Sequence, residues 1–274
     1  INEASLFRQS RQTASIQIIE NKKMILKKLI GDGILISTPA GSTAYNYSAK
    51  KSDCFVVAGG DGFMLQTIKK NYKYNKPFYG VNCGTYGFLM NKYQFKNLES
   101  KIKKSKQIII NPIKILATSY KNKKINLIAI NEASLFRQSR QTASIQIIEN
   151  KKMILKKLIG DGILISTPAG STAYNYSANG PILTLRSGKL AVTPISPFRP
   201  RKWKGKIVSN KSVIKIKNLN PKKRPLALVA DNIEKRNIKS LEIKNYKKIN
   251  IILLYDKSTN LNNKIKSEQK RKKY

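Results

Sequence analysis

Three short strings in this chain carry groups able to do chemistry. Gly59-Gly60-Asp61-Gly62 sets one carboxylate among three glycines. Asn131-Glu132 joins an amide, which donates and accepts, to a carboxylate, which accepts. Gly160-Asp161-Gly162 holds a second glycine-flanked carboxylate and runs on into Ser166–Ser171 and Thr172-Ala173-Tyr174. A glycine turn between strand and helix lets backbone N–H groups approach a phosphate at the helix N-terminus. Asp61 beside that phosphate could accept a proton from an attacking hydroxyl or help hold a metal ion. The structural alternative is a tight turn whose Asp caps the helix. Asn131 and Glu132 suit ribose hydroxyls, although strand ends often carry such residues. The small side chains before Tyr174 admit a ligand, and its ring either stacks on a base or packs on a sheet.

The elements that must position these strings follow from periodicity. Phe55–Ala58 is an apolar run ending in the glycine turn, Phe63–Lys70 has helical spacing, and Phe78–Asn82 is a second strand after Pro77. Together they make a parallel strand–helix–strand unit. Phe95, Leu98 and Ile102 predict a helix over Gln94–Lys106. From there short β-rich runs follow: Ile108–Leu116, Ile125–Ile130, Ala143–Ile148, Met153–Leu158 and Ile163–Ser166. Asn131-Glu132 then ends a strand, and Ser171 is placed as N-cap of a helix over Thr172–Ser177. Three prolines make Thr193–Pro200 an extended loop. Further strands are expected at Val213–Ile216, Leu226–Ala230, Leu241–Ile243 and Ile249–Tyr255, then a short helix around Leu261 and Ile265 and a basic tail, Lys270–Tyr274.

The chain has 54 basic and 14 acidic residues, a net charge of +40, and no histidine. The lysines are spread evenly among Asn and Ile rather than gathered into a stripe with interleaved aromatics, which argues against a dedicated nucleic-acid surface. No apolar run approaches the roughly 20 residues of a membrane span. Two cysteines, Cys54 and Cys83, in apolar strand-like surroundings give no metal spacing and fit a reducing cytoplasm.

Residues Ile1–Ala49 repeat Ile130–Ala178 position for position at an offset of 129. Structural repeats that have diverged share a pattern rather than every exposed side chain, so this copy is a recent duplication or a joining error.

In order, the chain reads GGDG (59–62), GVNCGTYGFLMN (80–91), NE (131–132), GDGILISTPAGSTAYNYSANGP (160–181) and TPISPFRP (193–200). This succession resembles the NAD kinase family, in particular its short bacterial form, over about Asp53 to Gln269. GGDG alone is shared with diacylglycerol and sphingosine kinases; the NE and STPxGSTAY runs are not. The resemblance implies an α/β N-terminal nucleotide-binding domain plus a mostly β second domain. Residues 50–106 would form the first, with 256–274 packing back on it, and 107–255 the β-rich NAD-binding domain. It also implies transfer of the terminal phosphate of ATP, another nucleoside triphosphate or polyphosphate to the 2′-hydroxyl of the adenosine ribose of NAD, with a divalent cation such as Mg²⁺. Asp61 would be the general base with Gly62 beside it, and Phe88 would pack near the adenine. Asn131, Glu132 and Asp161 would bind NAD, and Ala169, Thr172, Ala173, Tyr174, Asn175 and Ser177 would line its pockets. A cytoplasmic homodimer or homotetramer with no membrane or specific nucleic-acid partner completes the expectation.

Only the second copy follows GGDG in the family's order, so Asn2, Glu3, Asp32, Thr43 and Tyr45 are expected to bind nothing. The first copy stands where the family has its opening strand and helix. Ile16–Ile19 or Ile34–Ile36 would either fill that gap or compete with their twins. A lipid kinase sharing the GGDG turn, and an inactive duplicated fragment, are the alternative readings.

Overall fold

The structure, a computed structural model, describes residues 53–84, 87–92, 98–259 and 264, and the backbone alone of 3–7, 14–20, 23–31 and 33–37. The first copy forms β1 (Glu3–Phe7), β2 (Ala14–Glu20), β3 (Lys23–Gly31) and β4 (Gly33–Ser37). β2 and β3 make an antiparallel hairpin from Ala14↔Gly31 to Glu20↔Lys23, and β1 pairs with β4 from Glu3↔Ser37 to Phe7↔Gly33. Ile16–Ile19 and Ile34–Ile36 therefore pair inside their own copy, and among the described residues neither fills the gap in the neighbouring sheet nor takes its twin's place.

After the copy come β5 (Phe55–Gly59), α1 (Asp61–Asn71), β6 (Phe78–Asn82), α2 (Leu98–Lys104) and β7 (Lys106–Ile110). β5 and β6 pair in parallel from Phe55↔Phe78 to Gly59↔Asn82. Gly60, with extended backbone, leads into α1, which buries Phe63, Met64, Thr67, Ile68 and Asn71 along one face. Lys69 and Lys70 lie in its last turn, where the helix dipole favours cations. The helix expected from Gln94 is described from Leu98, and residues 93–97 lie outside the described residues.

The chain continues through β8 (Ile113–Ser119), β9 (Lys124–Ala129), β10 (Glu132–Arg137), β11 (Ala143–Glu149), β12 (Lys152–Gly160) and β13 (Gly162–Ser166). A single helical turn, α3 (Tyr174–Ser177), precedes β14 (Lys189–Ile195), β15 (Lys206–Ser209), β16 (Ile214–Asn218), β17 (Leu226–Ala230), β18 (Ile233–Lys235) and β19 (Ile238–Asn245). β20 (Ile251–Tyr255) returns to the first sheet, whose order is β5-β6-β20-β7. Two compact units result: Ile1–Ile110 with Asn250–Tyr274, and Asn111–Ile249.

The second unit is mostly β. Its two six-stranded sheets, β15-β14-β13-β10-β17-β18 and β12-β11-β16-β19-β8-β9, share one core that includes Leu135, Ile145, Ile163, Ile216, Leu228 and Ile243. Strand alternation builds it: Ile113, Ile115 and Ala117 are buried while Leu116 between them is exposed.

Several expected boundaries shift for identifiable reasons. The run Ile108–Leu116 is two strands, β7 and β8, because Pro112 offers no N–H to a ladder and the chain changes sheets at Asn111-Pro112. Asn131-Glu132 does not end a strand; it joins β9 to β10, which periodicity had not singled out. Thr193–Ile195, read as loop, completes β14. Pro194 is tolerated because β15 pairs only as far as Val192, so no neighbour there needs its missing N–H. Leu261, Ile265 and the tail lie outside the described residues, and none of the described helices is long and apolar enough to cross a membrane.

Leu135→Ala, which empties a site 2% exposed, should lower the unfolding free energy by about 2–5 kcal/mol. Leu116→Ala, 39% exposed, should stay within about 0.5 kcal/mol. Urea midpoints at constant slope measure both.

Candidate active site

In the first unit, Asp61 is the first residue of α1, where the helix dipole favours an anion. Its carboxylate accepts the N–H of Phe88 at 2.8 Å and of Leu89 at 2.9 Å. Burial pushes its pKa above the ordinary carboxylate range, while the Leu89 and Phe88 N–H groups and the Lys264 ammonium pull it back. Gly59 is there for packing, since a Cβ would come 2.9 Å from the Phe63 ring. Gly62 differs: a Cβ on it would meet no described residue within 4 Å, so among the described residues the helix start is open on that side. Phe88, expected near an adenine, contributes its backbone: the N–H serves Asp61 and the carbonyl accepts the Tyr255 hydroxyl at 3.2 Å. Among the described residues no group of three or more Asp, Glu, His or Cys is placed to hold a metal ion.

In the second unit, Asn131 leads from β9 into Glu132, the first residue of β10, and the two N–H groups point to no neighbouring strand. Asp231, in the left-handed region at φ 51° between β17 and β18, answers them. Its carboxylate accepts the N–H of Ile130 at 2.9 Å, Asn131 at 2.8 Å and Glu132 at 3.2 Å, and its own N–H donates to Glu132 O at 3.1 Å. Thr167, just after β13, fastens the same segment, its N–H on Asn131 O at 2.8 Å and its hydroxyl on Ile130 O at 2.7 Å. A side chain at Gly170 would collide with the Asn131 backbone. The Asn131 backbone is thus fixed in place, and its side-chain Oδ1 is buried and without a hydrogen-bond partner among the described residues. Such an orphan acceptor is rare unless a ligand or water completes it.

Asp161 lies between β12 and β13 and is paired with Arg137 Nε at 2.5 Å. Both groups are partly exposed, so the pair orients more than it stabilises. Tyr174 opens α3, and its ring packs against Phe136 at 5.8 Å, tilted by 43°. Partial burial, then the charges of Asp161 and Glu132, raise the Tyr174 phenol above its ordinary pKa, which puts these three side chains in one neighbourhood.

Ser171 is not the N-cap expected of it. It sits inside a 3₁₀ turn, Gly170–Thr172, and is fully buried. Its hydroxyl donates to Pro168 O at 2.7 Å and accepts the Leu183 N–H at 2.9 Å, because a buried hydroxyl must find partners and the loop supplies them. The helix starts instead at Tyr174, after Ala173. Asn175 is fully buried, donating to Pro181 O at 2.8 Å and accepting the Thr193 hydroxyl at 2.7 Å, so it braces the loop. Ala169 is buried, Thr172 and Ala173 half-buried, and Ser177 exposed. Asp61, Gly62 and Phe88 thus belong to the first unit, and the other nine expected site residues to the second. In the first copy Asn2, Asp32, Thr43 and Tyr45 lie outside the described residues, and Glu3 is described by its backbone alone.

Over 225 residues the chain is 42% identical to the NAD kinase of Zymomonas mobilis subsp. mobilis, covering 81% of this chain and 87% of that one. The chain belongs to the NAD kinase family. The NAD kinase of Mesorhizobium japonicum is 43% identical over 214 residues, 78% of this chain and 83% of its own. Residues 130–263 match the model of the ATP-NAD kinase C-terminal domain. Among solved structures, yeast NADH kinase complexed with NADH superposes with a TM-score of 0.68 at 23% identity, over 82% of this chain and 67% of that one. An NAD kinase from Archaeoglobus fulgidus in complex with ATP gives 0.65 at 22% identity, over 80% and 84%. These two show the fold, and kinship with the named kinases makes the chain a phosphotransferase.

Asp231, Thr167, Phe136 and Arg137 were not singled out from the sequence. Asp231-Asn232 after the apolar Leu226–Ala230 signals a turn, but nothing local signals a partner a hundred residues upstream. Asp231→Ala would strand buried N–H groups and should lower stability by about 2 kcal/mol or more. Asp231→Asn, which keeps one acceptor oxygen, should fall between it and the parent in a urea titration.

Proposed function

We propose that this chain is an NAD kinase that transfers the terminal phosphate of ATP to the 2′-hydroxyl of the adenosine ribose of NAD, giving NADP and ADP. The observation that carries the reading is the Asp61 carboxylate, fixed by two backbone N–H groups at an open helix start. A ribose hydroxyl is a weak nucleophile, so a positioned base is the apparatus it needs. As the 2′-oxygen bonds to the γ-phosphorus, its proton passes to Asp61 and the bond to the β,γ-bridging oxygen breaks, releasing ADP. The open N-terminus of α1 beside Gly62 supplies N–H groups and a positive dipole end for the donor phosphates. We read β5, α1 and β6 accordingly as the α/β nucleotide-binding part.

Recognition of NAD falls to the second unit. Asn131 Oδ1, a buried acceptor without a partner among the described residues, suits a ribose hydroxyl. Glu132 and Asp161 add further acceptors, and the Tyr174–Phe136 pair offers an aromatic face for a base. Mg²⁺ belongs to the donor in this reading: such ions are commonly held by phosphates with one or two carboxylates, and the described residues build no cage. We place the chain in the cytoplasm, where a reducing environment suits the two free cysteines, Cys54 and Cys83, and read it as a homo-oligomer from the family resemblance alone. A lipid kinase would give no reason for the Asn131, Asp231 and Thr167 clamp.

Purified full-length chain given NAD and MgATP should form NADP, and diacylglycerol in place of NAD should give no product. Asp61→Asn should lower the rate about 10²- to 10⁴-fold. Because the base must be ionised and burial raises its pKa, activity should be full above that raised value. It should be lost as pH falls through it, within a range where an ordinary carboxylate would still be ionised.

A further inference from the structure

Both N–H groups on Asp61 come from one turn, residues 87–90, which is only as well placed as whatever holds it. Side chains from the end of the chain do the holding. Tyr255, the last residue of β20, donates its hydroxyl to Phe88 O. Lys264 donates Nζ to Gly87 O at 2.9 Å and also to Met90 O. Three of the turn's four carbonyls therefore accept from this C-terminal segment. The next residue, Asn91, is fully buried and tied to the same segment, donating to Leu254 O and accepting the Asp256 N–H, each at 2.9 Å.

A lysine serving peptide carbonyls in a half-buried position gives up hydration that most of the described basic residues keep at the surface. Burial accordingly lowers its pKa, while Asp61 and Asp256 hold the charge in place and Lys92 opposes them. The Tyr255 ring lies 5.9 Å from Nζ.

We propose that Lys264, together with Tyr255, is a positioning residue for Asp61: it clamps the carbonyls of residues 87–90 so that the N–H groups of Phe88 and Leu89 keep the carboxylate aimed. This rests on the reading of Asp61 as the base. A displacement of about 1 Å at such a group can lower a rate by about 10²-fold.

The test is steady-state NADP formation across pH by the full chain and its Lys264→Met, Lys264→Arg, Tyr255→Phe and Asp61→Asn variants, each checked by thermal melting. Lys264→Met should lose about 10- to 100-fold in kcat with KM for NAD and ATP within about twofold. Its acid limb should move to higher pH, because the cation that favours ionised Asp61 is gone. Lys264→Arg should recover most of the rate and the position of the limb. Tyr255→Phe should lower kcat less and leave the limb in place. An unchanged kcat in Lys264→Met overturns the proposal, as do equal losses in Lys264→Met and Lys264→Arg with an unmoved limb. If Lys264→Met does not melt cooperatively, Tyr255→Phe decides: reduced kcat at constant KM supports the clamp, and wild-type kcat removes it. Asp61→Asn keeps the two readings apart. A wild-type rate there defeats the base assignment and the clamp with it, whereas a dead Asp61→Asn beside an unaffected Lys264→Met defeats the clamp alone.

Discussion

Buried peptide N–H groups have to be hydrogen-bonded, and the loops that carry the candidate site residues have no neighbouring strand to do it. Carboxylates take over. Asp61 gathers the turn after β6, and Asp231 gathers the crossing from β9 to β10. In each case an acid on one element fixes backbone from another, so loop geometry depends on charge-assisted bonds as well as on apolar packing. The candidate base and the candidate ribose acceptor are set by the same device. One is the carboxylate that does the gathering, and the other is a side chain on the gathered segment.

Composition sharpens this dependence. With 54 basic residues against 14 acidic, most cations have no acid to meet, and the ion pairs that do form, such as Lys103–Glu99 and Arg236–Glu234, are exposed and weakly stabilising. The fold is carried by the apolar layers between its sheets, while Asp61, Glu132, Asp161 and Asp231, four of the 14 acids, lie at the candidate sites. The excess positive charge acts at longer range, raising the local concentration of polyphosphates to an extent that salt screens.

Legibility divides along the distance of the interaction. The β5–α1–β6 unit could be read directly, because apolar runs, a glycine turn and helical spacing are all local signals. Asp61 and the Asn131-Glu132 pair were visible for the same reason. Asp231 and Lys264 were not: one looks like any turn Asp and the other like any of the chain's many cations, and their meaning lies in partners some 100 and 177 residues away. Ser171 misled because a Ser before small residues fits an N-cap, and only burial reveals that its hydroxyl is needed by the loop. Thr193–Ile195 misled because proline marks an edge as readily as a loop, and edge status is a property of the sheet.

The two copies share 49 residues and the same strand register, yet only the second lies in the six-stranded sheets. Chain connectivity accounts for the choice. From Ser166 at the end of β13 to Lys189 at the start of β14 the chain encloses 22 residues; from Ser37 at the end of β4 to the same Lys189 it encloses 151. Loop-closure entropy growing as (3/2)RT ln n favours the nearer copy by about 1.7 kcal/mol, roughly eighteenfold in population. Ribosomal synthesis delivers the first copy first, but β14 emerges soon after the second and finds it already nearby. Identical sequence thus leads to two different addresses in the fold, favoured by tether length and by order of synthesis.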